Sequence, residues 1–485
     1  MKLHIMKIEN VLCIIALIGA FTIGTISCSD KNDDEAASST ETTDSTSTVN
    51  TWIESIMREN YYWYSEIPEE SSLDFTTEPE TFFESLLSSS DGKDYTYNST
   101  TQHYYYSYIE DTSSSSTRSI SQIDYSYGFD FTVYNIVDEN GNSLGYYYAH
   151  ILYVAPDSPA SEAGLERGNW IYAMGGSNIT SSNYTTLYGG SATTFSIATY
   201  DSDEDGLVAQ GTVNISSART IEDDPVYFDS IYTVGSNKVG YLVYNHFDFG
   251  QTDDDDTYND ELLTLSKKFS GVDSFILDLR YNNGGYISCA QLLSTILAPS
   301  SALGKTFCTL EFNDKQSSQT ETLKYSSSLV KNGANLNLST VYVLVTDMTA
   351  SASELVINCL KPYANVVVIG TTTEGKNVGS QTYTDDAYTW ALHPIVCKIY
   401  NANNESNYTS GFTPDYECDE TDYLDKFLAF GNTNESLLNT ALEVIAGTYS
   451  ASTRSLKRTS SLKLTKIACS LDRKATNGVV LNGLQ

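Results

Sequence analysis

The stretch 346–381, TDMTASASELVINCLKPYANVVVIGTTTEGKNVGSQ, constrains this chain more than any other. It follows the apolar run Val341-Tyr342-Val343-Leu344-Val345 and opens as a polar turn carrying Thr349, Ser351 and Ser353. Glu354 and the periodic apolar residues Leu355, Val356, Cys359 and Leu360 then signal a helix N-terminus. Pro362 stops that helix, Val366 to Ile369 reads as a buried strand, and Gly370 to Gly375 form a loop that ends at Lys376. Such a unit brings a hydroxyl at a helix start and an amine after the next parallel strand to one sheet edge, where sites in open α/β sheets gather. The helix start adds free N–H groups and the positive end of the dipole.

The same alternation continues on either side. VGYLVYNHF reads as a strand, 260–269 as a helix, and SFILDLRYNNGGYISCAQLLSTIL as a strand, a glycine turn and a helix. TVYVLVTD, the Ser351 helix and NVVVIG complete an α/β core whose sheet is mostly parallel and covered by helices. With 485 residues the chain exceeds one core and predicts several domains. A formal charge of −35 excludes ordinary nucleic-acid binding. The 37 tyrosines, clustered as in Tyr104-Tyr105-Tyr106 and Tyr146-Tyr147-Tyr148, suit strands more often than ligand sites.

Residues 1–28 read as an export signal, with Lys2 and Lys7 before the apolar stretch Val11 to Ile26. Its end, Thr25-Ile26-Ser27-Cys28, resembles a bacterial lipobox, although Thr25 stands where Leu is usual. That resemblance implies lipidation of Cys28 and an outer-membrane anchor. The acidic run after Cys28 is similar to the tract that carries some lipoproteins to the cell surface. Residues 29–48 are a polar tether expected to stay disordered. Apolar spacing at 52, 53, 56, 57 and 61, then Phe82, Phe83, Leu86 and Leu87, predicts a helical region over 49–115. Beyond Cys28, the six cysteines Cys289, Cys308, Cys359, Cys397, Cys418 and Cys469 leave disulfides and reduced core thiols both open. No spacing suggests a metal, and no cofactor is expected.

Residues 120–215 resemble a PDZ domain on the strength of YVAPDSPASEAGLERGNWIYAMGG. Ser158-Pro159-Ala160 starts a short helix there, and Gly168-Asn169-Trp170-Ile171 turns into a strand. Upstream, YGFDFTVY occupies the place of a carboxylate-binding loop, so Gly128 and Phe129 are candidate peptide-binding residues, with strand addition supplying affinity. An ordinary hairpin edge is the competing reading. Asp201 to Gly206 imitates the opening of a calcium loop but has Thr212 at its twelfth position, which favours a solvated turn.

A serine needs a base to become a nucleophile. The five histidines His4, His103, His150, His246 and His393 have no GxSxG elbow to serve, whereas a lysine can act once burial lowers its pKa. Ser328-Leu329-Val330-Lys331 matches SxxK but lacks companion motifs. TASASE, the Lys of EGKNVGSQ twenty-five residues after Ser351, and the upstream DLRYNNGG together resemble the C-terminal processing peptidases, or tail-specific proteases. The resemblance covers roughly 120–400. It implies a ClpP/crotonase-like core over 216–450 with an inserted or preceding PDZ domain, acting on protein or peptide substrates as a serine endopeptidase. By position it makes Ser351 the nucleophile and Lys376 the base, within hydrogen-bond reach of each other. Ala352 and Gly285 would supply the oxyanion N–H groups, and Asp278 and Arg280 would pin the glycine turn. The residue that orients the lysine in this family falls at Ser380 here, leaving Gln381 as a candidate through a local bulge. A surface lipoprotein that binds peptides without cleaving them is the alternative. Residues 451–485 are a basic tail or a closing strand.

Overall fold

The computed structural model describes residues 38–97, 100–113, 123–137, 143–252, 255–450, 462–473 and 479–481. The export signal with Cys28, the first part of the tether and residues 451–461 lie outside the described residues. Helix α1 (Ser38–Asn60) begins inside the expected tether. Burial of Ile53, Met57 and Tyr61 nucleates it, and each further turn then fixes few residues per hydrogen bond. Helix α2 (Pro79–Glu84) starts on its proline and buries Phe82 and Phe83.

After α2 the expected helical region gives way to strands β1 (Lys93–Tyr97), β2 (Thr100–Tyr104) and β3 (Tyr108–Asp111). Tyrosines alternating with polar residues have the period of a strand, which overrides the helical expectation. This region is no separate body. Ile53, Phe82 and Leu86 share one apolar cluster with Val378, Leu392 and Ile395 of the later core.

Residues 123–222 are inserted between that region and the core. They comprise β4 (Ile123–Ser126), β5 (Phe129–Val137), β6 (Ser143–Val154), α3 (Pro159–Glu162), β7 (Trp170–Met174), β8 (Ser177–Asn178), β9 (Thr193–Asp201), β10 (Gly206–Ile215) and β11 (Arg219–Glu222). The sheet runs β10-β9-β7-β6-β5 over a core of Phe131, Ile151, Ile171 and Phe195. A capping box starts α3: Ser161 N–H donates to Ser158 Oγ at 3.1 Å and Ser158 N–H to Ser161 Oγ at 2.9 Å. The acidic run is the β9–β10 turn, in which Asp201 accepts from the Asp203 and Glu204 amides.

The core begins with β12 (Val226–Val234), β13 (Asn237–Tyr244), α4 (Thr257–Lys268), β14 (Ser274–Asp278), α5 (Ile287–Leu297), β15 (Thr306–Phe312) and β16 (Glu321–Lys324). It continues through β17 (Thr340–Val345), α6 (Ala352–Leu360), β18 (Asn365–Gly370), β19 (Val378–Ser380), β20 (Tyr383–Thr384), β21 (Trp390–His393), β22 (Ile395–Tyr400), β23 (Tyr416–Glu417) and α7 (Ser436–Ala446). The main sheet, β12-β13-β14-β17-β18-β23, is parallel except for the β12/β13 hairpin. Period two sorts its faces. Leu242, Leu277, Val343 and Val368 meet α4, α5 and α6, whereas Val243, Ile276, Leu344 and Ile369 meet α7. A second sheet, β16-β15-β22-β19, flanks it, and β3 of the N-terminal region pairs with β21.

The closing residues supply β24 (Lys463–Cys469), antiparallel to β5, and β25 (Val479–Val480), parallel to β19. All six cysteines are free and buried.

Insertion and core are joined by a buried ion network. Arg280 Nη2 donates to Asp278 Oδ2 at 2.7 Å and Arg280 Nη1 to Glu435 Oε1 at 2.7 Å, while Arg167 of the insertion donates to Glu420 at 2.8 Å and to the Tyr281 hydroxyl at 2.6 Å. Burial pushes Glu435 up, but the Arg280 and Arg167 guanidiniums outweigh it and hold the carboxyl at about 2. Its pKa is therefore depressed on folding, so its stabilisation is complete above about 4.5 and is lost as the pH falls toward 2. Arg280→Met strands two buried carboxylates and is expected to cost about 3–5 kcal/mol by urea denaturation at pH 7. An unchanged midpoint would contradict this account of the network.

Candidate active site

Ser351 stands between β17 and α6 with φ +60° and ψ −112°, a conformation that L residues rarely adopt. Holding it there costs about 1–3 kcal/mol, which the surroundings must impose. They do so through the glycine turn after β14. Asn282, fully buried, accepts from Ala350 N–H at 3.1 Å and Ser353 Oγ at 2.9 Å through its carbonyl, and from Gly284 N–H at 2.9 Å through its side chain. A methyl group on Gly284 would lie 2.8 Å from Ser351 Cβ, and one on Gly285 would lie 2.1 Å from the Phe247 carbonyl oxygen. Both positions have positive φ, so glycine is required for backbone to approach backbone here.

Glu354 supplies the second constraint. It is fully buried on the first turn of α6, and both of its oxygens accept. Oε1 takes Thr373 Oγ1 at 2.6 Å and Gly375 N–H at 2.7 Å. Oε2 takes Ser351 N–H at 3.0 Å and Lys376 N–H at 2.8 Å. One carboxylate oxygen thus clamps the backbones of Ser351 and Lys376 together. Burial pushes this carboxyl up to about 7, opposed by the Thr373, Ser351, Gly375 and Lys376 donors. Because neither oxygen is left to carry a proton toward an acceptor, the geometry holds the ionised form.

Lys376 is 1 % exposed. Burial pushes its amine down to about 8, against the opposing charges of Asp91, Glu374 and Glu354. The N-terminal region forms its lid: Nζ lies 4.8 Å from the Tyr106 ring centroid, and the Tyr104 and Tyr106 hydroxyls donate to Glu374. Ser351 Oγ and Lys376 Nζ are both buried without a hydrogen-bond partner among the described residues, so the direct bond expected between them is not formed. Buried polar groups left without partners are costly.

The N–H groups around the serine sort themselves. That of Gly284 is taken by Asn282 and that of Tyr286 by the Phe247 carbonyl at 2.8 Å. Among the described residues, no acceptor takes the N–H of Gly285 or of Ala352.

Gln381 is not brought to Lys376. Its side chain accepts from the Tyr383 hydroxyl at 3.4 Å. A bulge is present, but it lies on β22, where Val396 is skipped opposite β19, and not at Gln381. His393 stacks on Tyr108 and bonds Thr382, remote from Ser351. Gly128 and Phe129 sit where β5 begins, with a methyl on Gly128 excluded by Ser158 Cβ at 2.2 Å. The edge of β5 they lead into is filled by β24 of the same chain, and Phe131 N–H already donates to Ser470 Oγ at 2.9 Å.

The residues that the spacing alone did not single out are Glu354, Asn282 and Tyr106. Glu354 carried a visible signal, since a Glu three residues after a serine marks a helix start, but nothing local tells which distant amides it will also bind.

Residues 238–418 match peptidase family S41, and residues 48–108 match the peptidase S41 N-terminal domain. A probable CtpA-like serine protease of Staphylococcus aureus is 30% identical over 162 residues, 33% of this chain and 30% of that protein. The carboxy-terminal processing protease CtpA of Bacillus subtilis is 27% identical over 281 residues, covering 56% of this chain and 54% of its own. The chain therefore spans about a third to a half of the curated relatives it matches. A crystal structure of a putative S41 protease from Bacteroides fragilis NCTC 9343 is 40% identical, with a TM-score of 0.72, and covers 82% of this chain and 98% of its own. With a protease domain, a PDZ-like insertion and these matches, the chain belongs to peptidase family S41.

Proposed function

We propose that the protein is a serine endopeptidase with Ser351 as nucleophile and Lys376 as general base. The observation that carries this is the Glu354 clamp, which ties the backbone of a strained serine to that of a buried lysine, with two nearby N–H groups unspent. Neutral Lys376 takes the Ser351 proton as Oγ attacks a peptide carbonyl. The N–H groups of Gly285 and Ala352 receive the oxyanion, the protonated lysine returns its proton to the leaving amine, and water then releases the acyl group. Gln381 has no part in orienting the lysine in this scheme; Glu354 and Tyr106 take that role. The insertion contacts protein or peptide substrates through the loop at Gly128 and Phe129, without strand addition at β5, whose outer edge β24 already fills. The domain limits of 120–215 and 216–450 and the ClpP/crotonase-like type of the core belong to the same reading, supported by the parallel βαβ order.

A serine-directed fluorophosphonate is expected to add its mass to Ser351, as read by intact and peptide mass spectrometry, and to spare Ser351→Ala. Glu354→Gln should bind the probe as before but acylate about 10²-fold more slowly, since a misplaced serine–lysine pair loses orientation. Absence of labelling in the folded wild type would leave a peptide-binding protein instead.

Among the described residues no helix is long and apolar enough to cross a membrane. We assign the membrane link to lipidated Cys28 on an exported, outer-membrane-anchored chain. Metabolic labelling with an alkyne fatty acid should mark the wild type and not Cys28→Ser; equal labelling of both would refute the anchor.

A further inference from the structure

The segment after β24 touches both sides of the Ser351 site. On one side, Leu471 is buried and its carbonyl accepts from Asn283 Nδ2 at 2.8 Å, two residues before Gly285. On the other, β25 pairs with β19, which begins two residues after Lys376. Leu481 N–H donates to the Ser380 carbonyl at 3.2 Å, and its side chain, 4 % exposed, joins the main apolar cluster of the core. Its side chain packs beside Gly379, where a methyl would sit 3.6 Å from Leu481 Cδ2, an ordinary contact distance.

The two anchors differ in strength. β24 lays seven residues along β5 and adds Ser470, whose Oγ donates to Asp130 at 2.6 Å. β25 has two residues and one apolar side chain beyond them. Each backbone bond is worth about 1 kcal/mol net, so the β19 attachment is the one that a competing strand can displace.

We propose that the edge of β19 is a binding edge for extended peptide, and that Val479–Leu481 of this chain is its resident occupant, which a substrate must displace. The proposal deepens the peptidase reading and rests on it for the identity of the displacing strand. The occupant shows what the edge accepts: an extended backbone, parallel to β19, with a leucine-sized side chain over Gly379. β24 stays in place throughout, so occupancy of β19 is set without disturbing the inserted domain.

The test uses fluorescein-labelled GVVLN, the sequence of residues 478–482, with anisotropy read on three Ser351→Ala proteins. These are the full chain, the full chain with Leu481→Asp, and a chain ending at Arg473. Both opened forms should bind at least about ten-fold more tightly than the full chain, the order of one lost apolar contact and its hydrogen bond. Equal affinities, or no binding to a folded opened form, would overturn the proposal. Should neither opened form fold, hydrogen exchange on the unaltered chain decides: saturating peptide must speed exchange at Leu481 while β24 amides keep their rates, and unchanged exchange overturns it. An unlabelled Ser351 in the folded wild type, with the affinity shift intact in the Ser351→Ala proteins, sinks the peptidase reading alone; wild-type labelling without the shift sinks this inference alone.

Discussion

A single buried carboxylate organises this molecule's chemistry. Glu354 accepts the amides of Ser351, Gly375 and Lys376 and the Thr373 hydroxyl, so a helix start and a loop some twenty residues later are held by one group. Such a carboxylate is expensive to bury and is stable because every lone pair meets a donor. Its presence explains why the Ser351 backbone can be held at φ +60° and why a buried lysine can follow at the end of the loop.

Around that clamp the strain is distributed outward. Asn282 ties the glycine turn to the turn before α6, and Thr349 Oγ1 donates to the Leu279 carbonyl at 2.8 Å from the same turn. Arg280, one residue further on, anchors this segment to Glu435 of α7, and Arg167 extends the network into the insertion. The N-terminal region closes the remaining side by placing Tyr106 over Lys376, with Asp91 fixing the bend between β2 and β3 through the Tyr106 and Ser107 amides at 3.0 and 3.2 Å. The N-terminal region thus packs on the core beside Lys376, sharing one apolar cluster with it.

Much of this was legible before any coordinates. The strand, helix, strand and loop order over 341–376 follows from local periodicity and a proline stop, signals that tertiary packing seldom overrides. Parallel topology makes a pairing of Ser351 with Lys376 plausible, and the resemblance assigns it; the structure joins their backbones through Glu354 and forms no bond between the side chains. What sequence could not show is long-range in origin. Gln381 was a candidate only if a bulge flipped it, and which of two paired strands takes the extra residue depends on packing around Val396 and Cys397, not on residues 376–381. Residues 93–111 look helical only by continuation from α2; their tyrosine alternation is the better guide. The fate of 463–481 was unreadable because a strand added at a sheet edge is defined by the edge it meets.

The central claim is that burial lowers the Lys376 amine far enough to supply a neutral base near Ser351. Selective 13C labelling of lysine Cε, assigned by comparison with Lys376→Met and followed by NMR through a pH titration, tests it directly. The account predicts a midpoint for Lys376 near 8, with the neutral base accumulating as the pH rises through that value. A midpoint at the ordinary lysine value of about 10.4 would contradict it, since the amine would then be charged throughout the neutral range.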